Sequence, residues 1–134
     1  MTKVAQFRFN QTTLAEDNMK IVAYKNITPT NFDKDEMRGV AGRVVIGQKD
    51  GAKNFYMRIF EVAPGGYTHK HTHEWEHEVF VHAGKGECCC EGQWRLVKAG
   101  DIIFIPANEE HQLRNKGKEV FVFVCLVPAG APEL

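Results

Sequence analysis

From about residue 38 onward, apolar side chains recur with a period of two in short runs: GRVVIG (42–47), NFYMRIFEV (54–62), HEVFVHAG (77–84), GDIIFIPAN (100–108) and EVFVFVCLVP (119–128). Successive side chains of an extended chain point to opposite faces, so this period describes strands with one buried face and excludes a helical core. The runs are broken at KDGAKN, APGG, AGKG, CEGQ, PANEE and NKGK. These clusters hold the Gly, Pro, Asn and Asp that turns use, and their spacing is that of an all-β sandwich or barrel. No long amphipathic pattern competes, and 134 residues suit one domain able to bury about two thirds of its unfolded surface.

The first 37 residues are more polar and less periodic. Thr13-Leu14-Ala15-Glu16 has the form of a capping box, and Asp33 to Met37 could make one helical turn. We expect residues 1–37 to be an arm that packs on the barrel or on a partner subunit, where it would cover a free sheet edge. Residues 38–134 would then be the barrel itself.

Charge narrows the partners. The chain has 17 basic and 17 acidic residues with no Lys/Arg run longer than two, so it carries neither the footprint of a nucleic-acid binder nor a polybasic membrane patch. No apolar run approaches the roughly 18 residues of a membrane span, and MTKVAQFRFNQTT lacks the apolar centre of a signal peptide. Cys88, Cys89 and Cys90 are consecutive and Cys125 is distant, which is no disulfide framework. A cytoplasmic protein with reduced thiols and a small-molecule partner is expected, the CCC run serving as small apolar filler in a strand.

Four of the six histidines crowd into nine positions, 69 to 77, with Glu74, Glu76 and Glu78 threaded through and beyond them. If residues 71–82 form a regular strand after a turn at Pro64-Gly65-Gly66, His71, His73 and His77 share one face. Glu74, Glu76, Glu78 and His82 then share the other. Three imidazoles on one face can converge their lone pairs on a transition-metal ion. Outside residues 69–82 the single histidine is His111, which follows a Pro turn and could open the next strand.

The spacing links these groups. Gly65, His71, His73, His77 and Gly84 read G-x5-H-x-H-x3-H-x6-G, and Gly100, Pro106, Asn108, His111 and Asn115 read G-x5-P-x-N-x2-H-x3-N. Together they resemble the two signature motifs of the cupin superfamily, with the short spacer of compact single-domain bacterial cupins. The resemblance implies a conserved β-barrel, a double-stranded β-helix of the jelly-roll type, with a metal held inside it. Two histidines and a third ligand come from the first motif and one histidine from the second. Asn108 replaces the usual Gly, and Asn is among the residues that tolerate left-handed backbone. The third ligand is usually Glu; counting back from Gly84 and strand parity both select His77, while a bulge would bring Glu78 inward.

The chain thus resembles bacterial cupins with four-histidine manganese or iron sites, here His71, His73, His77 and His111, with Glu78 the alternative ligand. One divalent ion per chain is expected, Mn or Fe foremost, although imidazole sites also accept Co, Ni, Cu and Zn. Four neutral imidazoles leave the ion its full charge, favouring a chelating anion or, with a redox metal, oxygen or peroxide. By parity Val79 follows His77 into the pocket, Leu113 follows His111, and Thr68 lies near the first ligand. The resemblance turns Phe123 and Cys125 inward. Arg58 points either outward or inward, where it would anchor a substrate carboxylate. His69 is a solvated group or a proton-transfer group at the mouth, Trp75 a lid or an interface residue, and Phe80 part of an outer face that a homodimer would cover. The expected activity is that of a metal-dependent, dioxygenase-like oxidoreductase on a small organic substrate; the alternatives are an isomerase or decarboxylase and a non-catalytic sensor.

Overall fold

The computed structural model describes residues 19–134. The capping box at Thr13–Glu16 lies outside them. Nine strands follow in order: β1 (Thr30–Lys34), β2 (Met37–Ile46), β3 (Phe55–Tyr67), β4 (His77–Ala83), β5 (Lys85–Cys90), β6 (Gln93–Lys98), β7 (Ile102–Ile105), β8 (His111–Arg114) and β9 (Phe121–Pro128). The only helical pieces among the described residues are two three-residue 3-10 turns, Tyr24–Asn26 and Gln48–Asp50. No helix there is long and apolar enough to cross a membrane.

The strands form a single curled sheet, ordered β6-β5-β8-β3-β9-β4-β7, with β2 on the free side of β3 and β1 on β2. This is the all-β, jelly-roll-type barrel the strand pattern and the motifs imply. Two local expectations fail. Asp33–Met37 is not a helical turn: Asp33 and Lys34 end β1 and pair with Arg38 and Met37, so the segment is the tip of the β1–β2 hairpin. The tip is held by the Asp33 carboxylate, which accepts the Gly39 N–H at 3.0 Å and so rewards a hairpin over a helix. Pro64-Gly65-Gly66 is not a break either. β3 runs through it, pairing with β9 over Phe55–Val62 and meeting β8 at Tyr67. Gly66 lets the corner close, since a Cβ there would lie 2.7 Å from the Arg38 carbonyl oxygen.

Alternation then does what the sequence pattern requires. Arg58, Phe60 and Val62 of β3, His77, Val79 and Val81 of β4, and Phe121, Phe123 and Cys125 of β9 are all buried. Phe121 is fully buried, and a Cβ on Gly86 would fall 2.2 Å from its ring, so the glycine in β5 exists to admit the phenyl group. Truncating such a ring to alanine typically costs about 3–5 kcal/mol. Cys88 is 2 % exposed and packs in this core with Cys90, whose sulfur is 3.4 Å away; Cys89 alternates outward. Small apolar filling is thus what Cys88 and Cys90 provide, and Cys89 does not.

Outside, residues 20–27 lie across β2 and β3. Lys20 donates to the Val45 carbonyl at 2.8 Å, Arg43 donates to the Ile27 carbonyl at 2.7 Å, and Tyr24 reaches Glu61 at 3.4 Å. A different outer face stays open: Ile102, Phe104 and Phe80 on β7 and β4 are 80 %, 59 % and 46 % exposed.

Candidate metal centre

Four histidines meet at one end of the barrel. One nitrogen from each of His71, His73, His77 and His111 lies within 4.8 Å of the others. The route to this convergence differs from the expected one. Residues 68–76 are not a regular strand; His71 makes an isolated bridge to His111, with N–H to carbonyl distances of 3.2 and 3.1 Å, and His73 sits in the loop beyond it. The Asn108 N–H donates to the His73 carbonyl at 2.7 Å, so the loop after β7 holds the loop before β4. His77 opens β4 and His111 opens β8. Loop hydrogen bonds, rather than parity along one strand, aim the first two rings.

Three of the four rings are further oriented through their second nitrogen. The Nδ1 atoms of His73, His77 and His111 lie 2.8, 3.1 and 2.9 Å from the carbonyl oxygens of Trp75, Leu126 and Glu109. A carbonyl only accepts, so each Nδ1 carries the proton and each Nε2 presents a lone pair to the centre. The Nε2 atoms of His73 and His77 are 3.0 Å apart. With both lone pairs facing inward this contact is repulsive unless a cation relieves it. Two ligands at about 2.1 Å from one ion and at right angles to each other stand about 3.0 Å apart, so the donor set fits a transition-metal ion.

The rings are also tuned to stay neutral. Burial, with the neighbouring imidazoles and Arg58 adding to it, lowers His71 to about 4. Burial, again joined by Arg58 and the adjacent rings, lowers His77 to about 3. His73 and His111 are lowered by burial as well. Metal binding requires deprotonated imidazole, so each of these shifts keeps its ring in the form that a metal ion would need. Trp75 adds a lateral wall: its indole stacks on the His73 ring at 4.3 Å and 10°. His69 is exposed at the mouth, its ring 5.1 Å from that of His71.

Glu78 stays out of the cluster. It alternates to the outer face of β4, where the neighbouring Glu76 carboxyl, joined by partial burial, raises its own above the ordinary range. Asn108 has φ +67°, the left-handed backbone its motif position demands. Gly84 has φ +77° and sits so close to the Val120 carbonyl that a Cβ would be 2.2 Å from its oxygen. Asn115, 1 % exposed, bonds the Val62 and Glu119 carbonyls and the Gly117 N–H. These motif residues build the corners from which the histidines project.

A cavity of about 500 Å³ opens beside the cluster, with Thr68, Val79, Leu113, Phe123 and Cys125 in its wall. Arg58 also lines it, which decides the orientation the sequence left open. The guanidinium is 6 % exposed and lies over the Phe60 ring at 5.2 Å. It donates to the Cys125 carbonyl and sulfur, both at 3.1 Å, and to the Glu133 carbonyl at 3.1 Å. Among the described residues no carboxylate pairs with it. The Cys125 sulfur in turn lies 3.3 Å from His77 Nδ1, and burial pushes its thiol up, keeping it protonated. Sequence reading missed two parts of the wall: Phe32 and Met37 from the hairpin, and Pro132 and Leu134 after β9. No period marks such residues, although a Pro-containing apolar tail beyond a barrel strand is a signal worth testing.

A family model described as the cupin domain (Cupin_2) matches residues 58–127, just over half of the chain. The chain is 28% identical over 121 residues to an oxalate-binding protein of Thermotoga maritima, covering 85% of this chain and 98% of that one. It is 33% identical over 73 residues to a 1-methylthio-D-xylulose 5-phosphate methylsulfurylase of Rhodospirillum rubrum; that match spans 54% of this chain but only 47% of the relative. Among solved structures, the polyketide cyclase RemF of Streptomyces resistomycificus superposes with a TM-score of 0.79 at 30% identity, covering 86% of this chain and 83% of the other. With both motifs placed on the barrel corners and the family model spanning β3 to β9, the chain belongs to the cupin domain family.

Proposed function

We propose that this chain binds one divalent transition-metal ion, manganese or iron foremost, through His71, His73, His77 and His111, and acts as an oxygenase-type oxidoreductase on a small, partly apolar organic anion. The observation that carries the reading is the pairing of four converging imidazoles with Arg58, a buried cation that no carboxylate of the described chain neutralises. When bound, such an ion supplies Lewis acidity to a chelating oxygen and, as iron or manganese, a one-electron couple for dioxygen or peroxide.

The chain's own groups do the rest. Arg58 fixes the substrate's anionic group by charge-assisted hydrogen bonds at a distance set by the β3–β9 register. Phe60, Phe123, Val79 and Leu113 bury its apolar part and exclude water. The backbone carbonyls of Trp75, Leu126 and Glu109 keep the ligand protons on Nδ1. In this reading the protein supplies no nucleophile.

Elemental analysis of protein purified without chelators or a tag is the test, followed by oxygen- and peroxide-consumption assays. Near-stoichiometric manganese or iron with turnover on an organic carboxylate supports the reading. Zinc alone, with no turnover after reconstitution, removes the oxidoreductase. A second reading, cyclisation or isomerisation at a non-redox ion, draws on the likeness to the polyketide cyclase RemF and on the aromatic wall of the pocket. Turnover without oxygen uptake would select it. The open face of Ile102, Phe104 and Phe80 supports a homodimer as the working assembly, which Phe104→Glu should convert to monomer in light scattering.

A further inference from the structure

Beyond Pro128 the chain does not leave the barrel. The Ala129 N–H bonds the Asn54 carbonyl, the Ala131 N–H bonds the Pro128 carbonyl, and the chain turns back so that Pro132 and Leu134 line the pocket. Between them Glu133 is tied twice: its side chain accepts the Gln48 N–H at 2.7 Å, and its carbonyl accepts Arg58 Nη1 at 3.1 Å. Two glycines of the β2 region leave space for this path. A Cβ on Gly47 would lie 2.8 Å from the Glu133 carboxylate, and one on Gly42 would press Phe60 and the Leu134 side chain, at 2.9 and 3.1 Å.

The guanidinium makes this contact consequential. Its Nε and Nη2 already point at Cys125, so the edge left for a bidentate carboxylate is the one that includes Nη1. The Glu133 carbonyl stands there. We propose that Pro132–Leu134 form a specificity-determining strap: the Glu133 carbonyl holds the Arg58 edge that a ligand carboxylate takes, Leu134 limits ligand size, and organic anions enter by displacing the strap. The inference rests on Arg58 being the anion site of the proposed function. Weak, neutral carbonyl coordination at rest and strong carboxylate coordination when loaded make the exchange favourable only for ligands that bring a full negative charge.

Calorimetry with benzoate and 2-naphthoate on the metal-loaded protein tests it, using the parent chain, Glu133→Ala, Arg58→Gln and a chain ended after Pro128, where β9 is complete. The strap predicts about tenfold tighter benzoate binding to the shortened chain, the order of one competing hydrogen bond to a charged group. Glu133→Ala, which loses the Gln48 latch, should fall between, and 2-naphthoate should bind the shortened chain alone. In the parent, benzoate should speed hydrogen exchange at the Gln48 amide. Should the shortened chain fail to fold, Glu133→Ala and the Gln48 exchange decide. Benzoate binding that Arg58→Gln abolishes but neither tail change strengthens, with Gln48 exchange unaltered, overturns the strap and leaves the anion site standing. Benzoate binding equal in parent and Arg58→Gln, or absent from every form, overturns the anion site and the strap together.

Discussion

Arg43 and Arg58 sit on adjacent strands of one sheet, both nine-tenths or more buried, on opposite faces. Arg43, outside, is complete within the fold: it pairs with Glu61 at 2.9 Å, caps the Ile27 carbonyl and lies 5.5 Å over the Tyr24 ring. Arg58, inside, has carbonyls, a sulfur and a ring, but no counter-charge among the described residues. The four imidazoles share that incompleteness, for their lone pairs face one another rather than a donor. A buried charge without a partner is destabilising. On the inner face the described chain thus leaves one buried cation and four converging lone pairs without a counterpart, while the outer arginine is satisfied within the fold.

The sharpest way to break this contrast is to remove a proposed ligand. His77→Ala or His111→Ala should lower metal affinity by more than about 100-fold, beyond the 10–100-fold seen when only a supporting residue is lost. Glu78→Ala, on the outer face, should leave it unchanged; competition against a calibrated chelator measures both. Loss of metal with Glu78→Ala and retention with His77→Ala would exchange the roles of the two faces.

Next in size is the outer pair. Arg43→Ala strands Glu61 against the sheet and should cost about 3 kcal/mol in urea unfolding, the range for breaking a largely buried ion pair. A change below about 0.5 kcal/mol would mean that the pair is solvated like an ordinary surface bridge.

Acid should affect the inner face in a defined window. His71 and His77 are held at about 4 and about 3 in the fold, against about 6.5 in the unfolded chain. Between those values the unfolded chain binds more protons, so stability rises with pH and is lost as pH falls below about 6.5. Chelator-treated protein should therefore lose stability between pH 7 and 5.5, where carboxylates are still ionised, and bound metal should deepen the loss by competing with the same protons. A flat profile for both forms would show that these rings are not buried neutral.

The sequence made the barrel and the histidine cluster readable for separate reasons. Strands β4, β7 and β9 carry the period of two openly, and the motif glycines, Pro106 and Asn115 mark corners that need particular backbone or buried amide chemistry. Orientation along β3 was not readable, because Pro64-Gly65-Gly66 imitates a turn and left no fixed point from which to count to Arg58. In the fold the strand passes through it on two glycines. The hairpin of β1 was hidden by its polar composition, since five residues with an exposed face carry no apolar alternation. The return of Pro132 and Leu134 depends on contacts with Gln48 and Arg58, more than 70 residues away, and no local pattern encodes such a distance.

The smallest expected effect separates the two arginines most cleanly. Arg58→Met keeps an unbranched apolar stem over Phe60 and removes the uncompensated charge, so it strands no carboxylate. Replacing a buried ionic group by an apolar one of similar volume is often neutral or stabilising. Against that stand the lost hydrogen bonds to the Cys125 and Glu133 carbonyls, each worth about 1.5 kcal/mol or more when the donor is charged. The opposing contributions leave unfolding free energy within about 1 kcal/mol of the parent, while Arg43→Met should still be destabilising because Glu61 remains. Benzoate affinity should vanish with Arg58→Met and persist with Arg43→Met. Equal destabilisation by the two substitutions, with anion binding intact in both, would make Arg58 a structural group like its neighbour and leave the inner face with the proposed metal site alone.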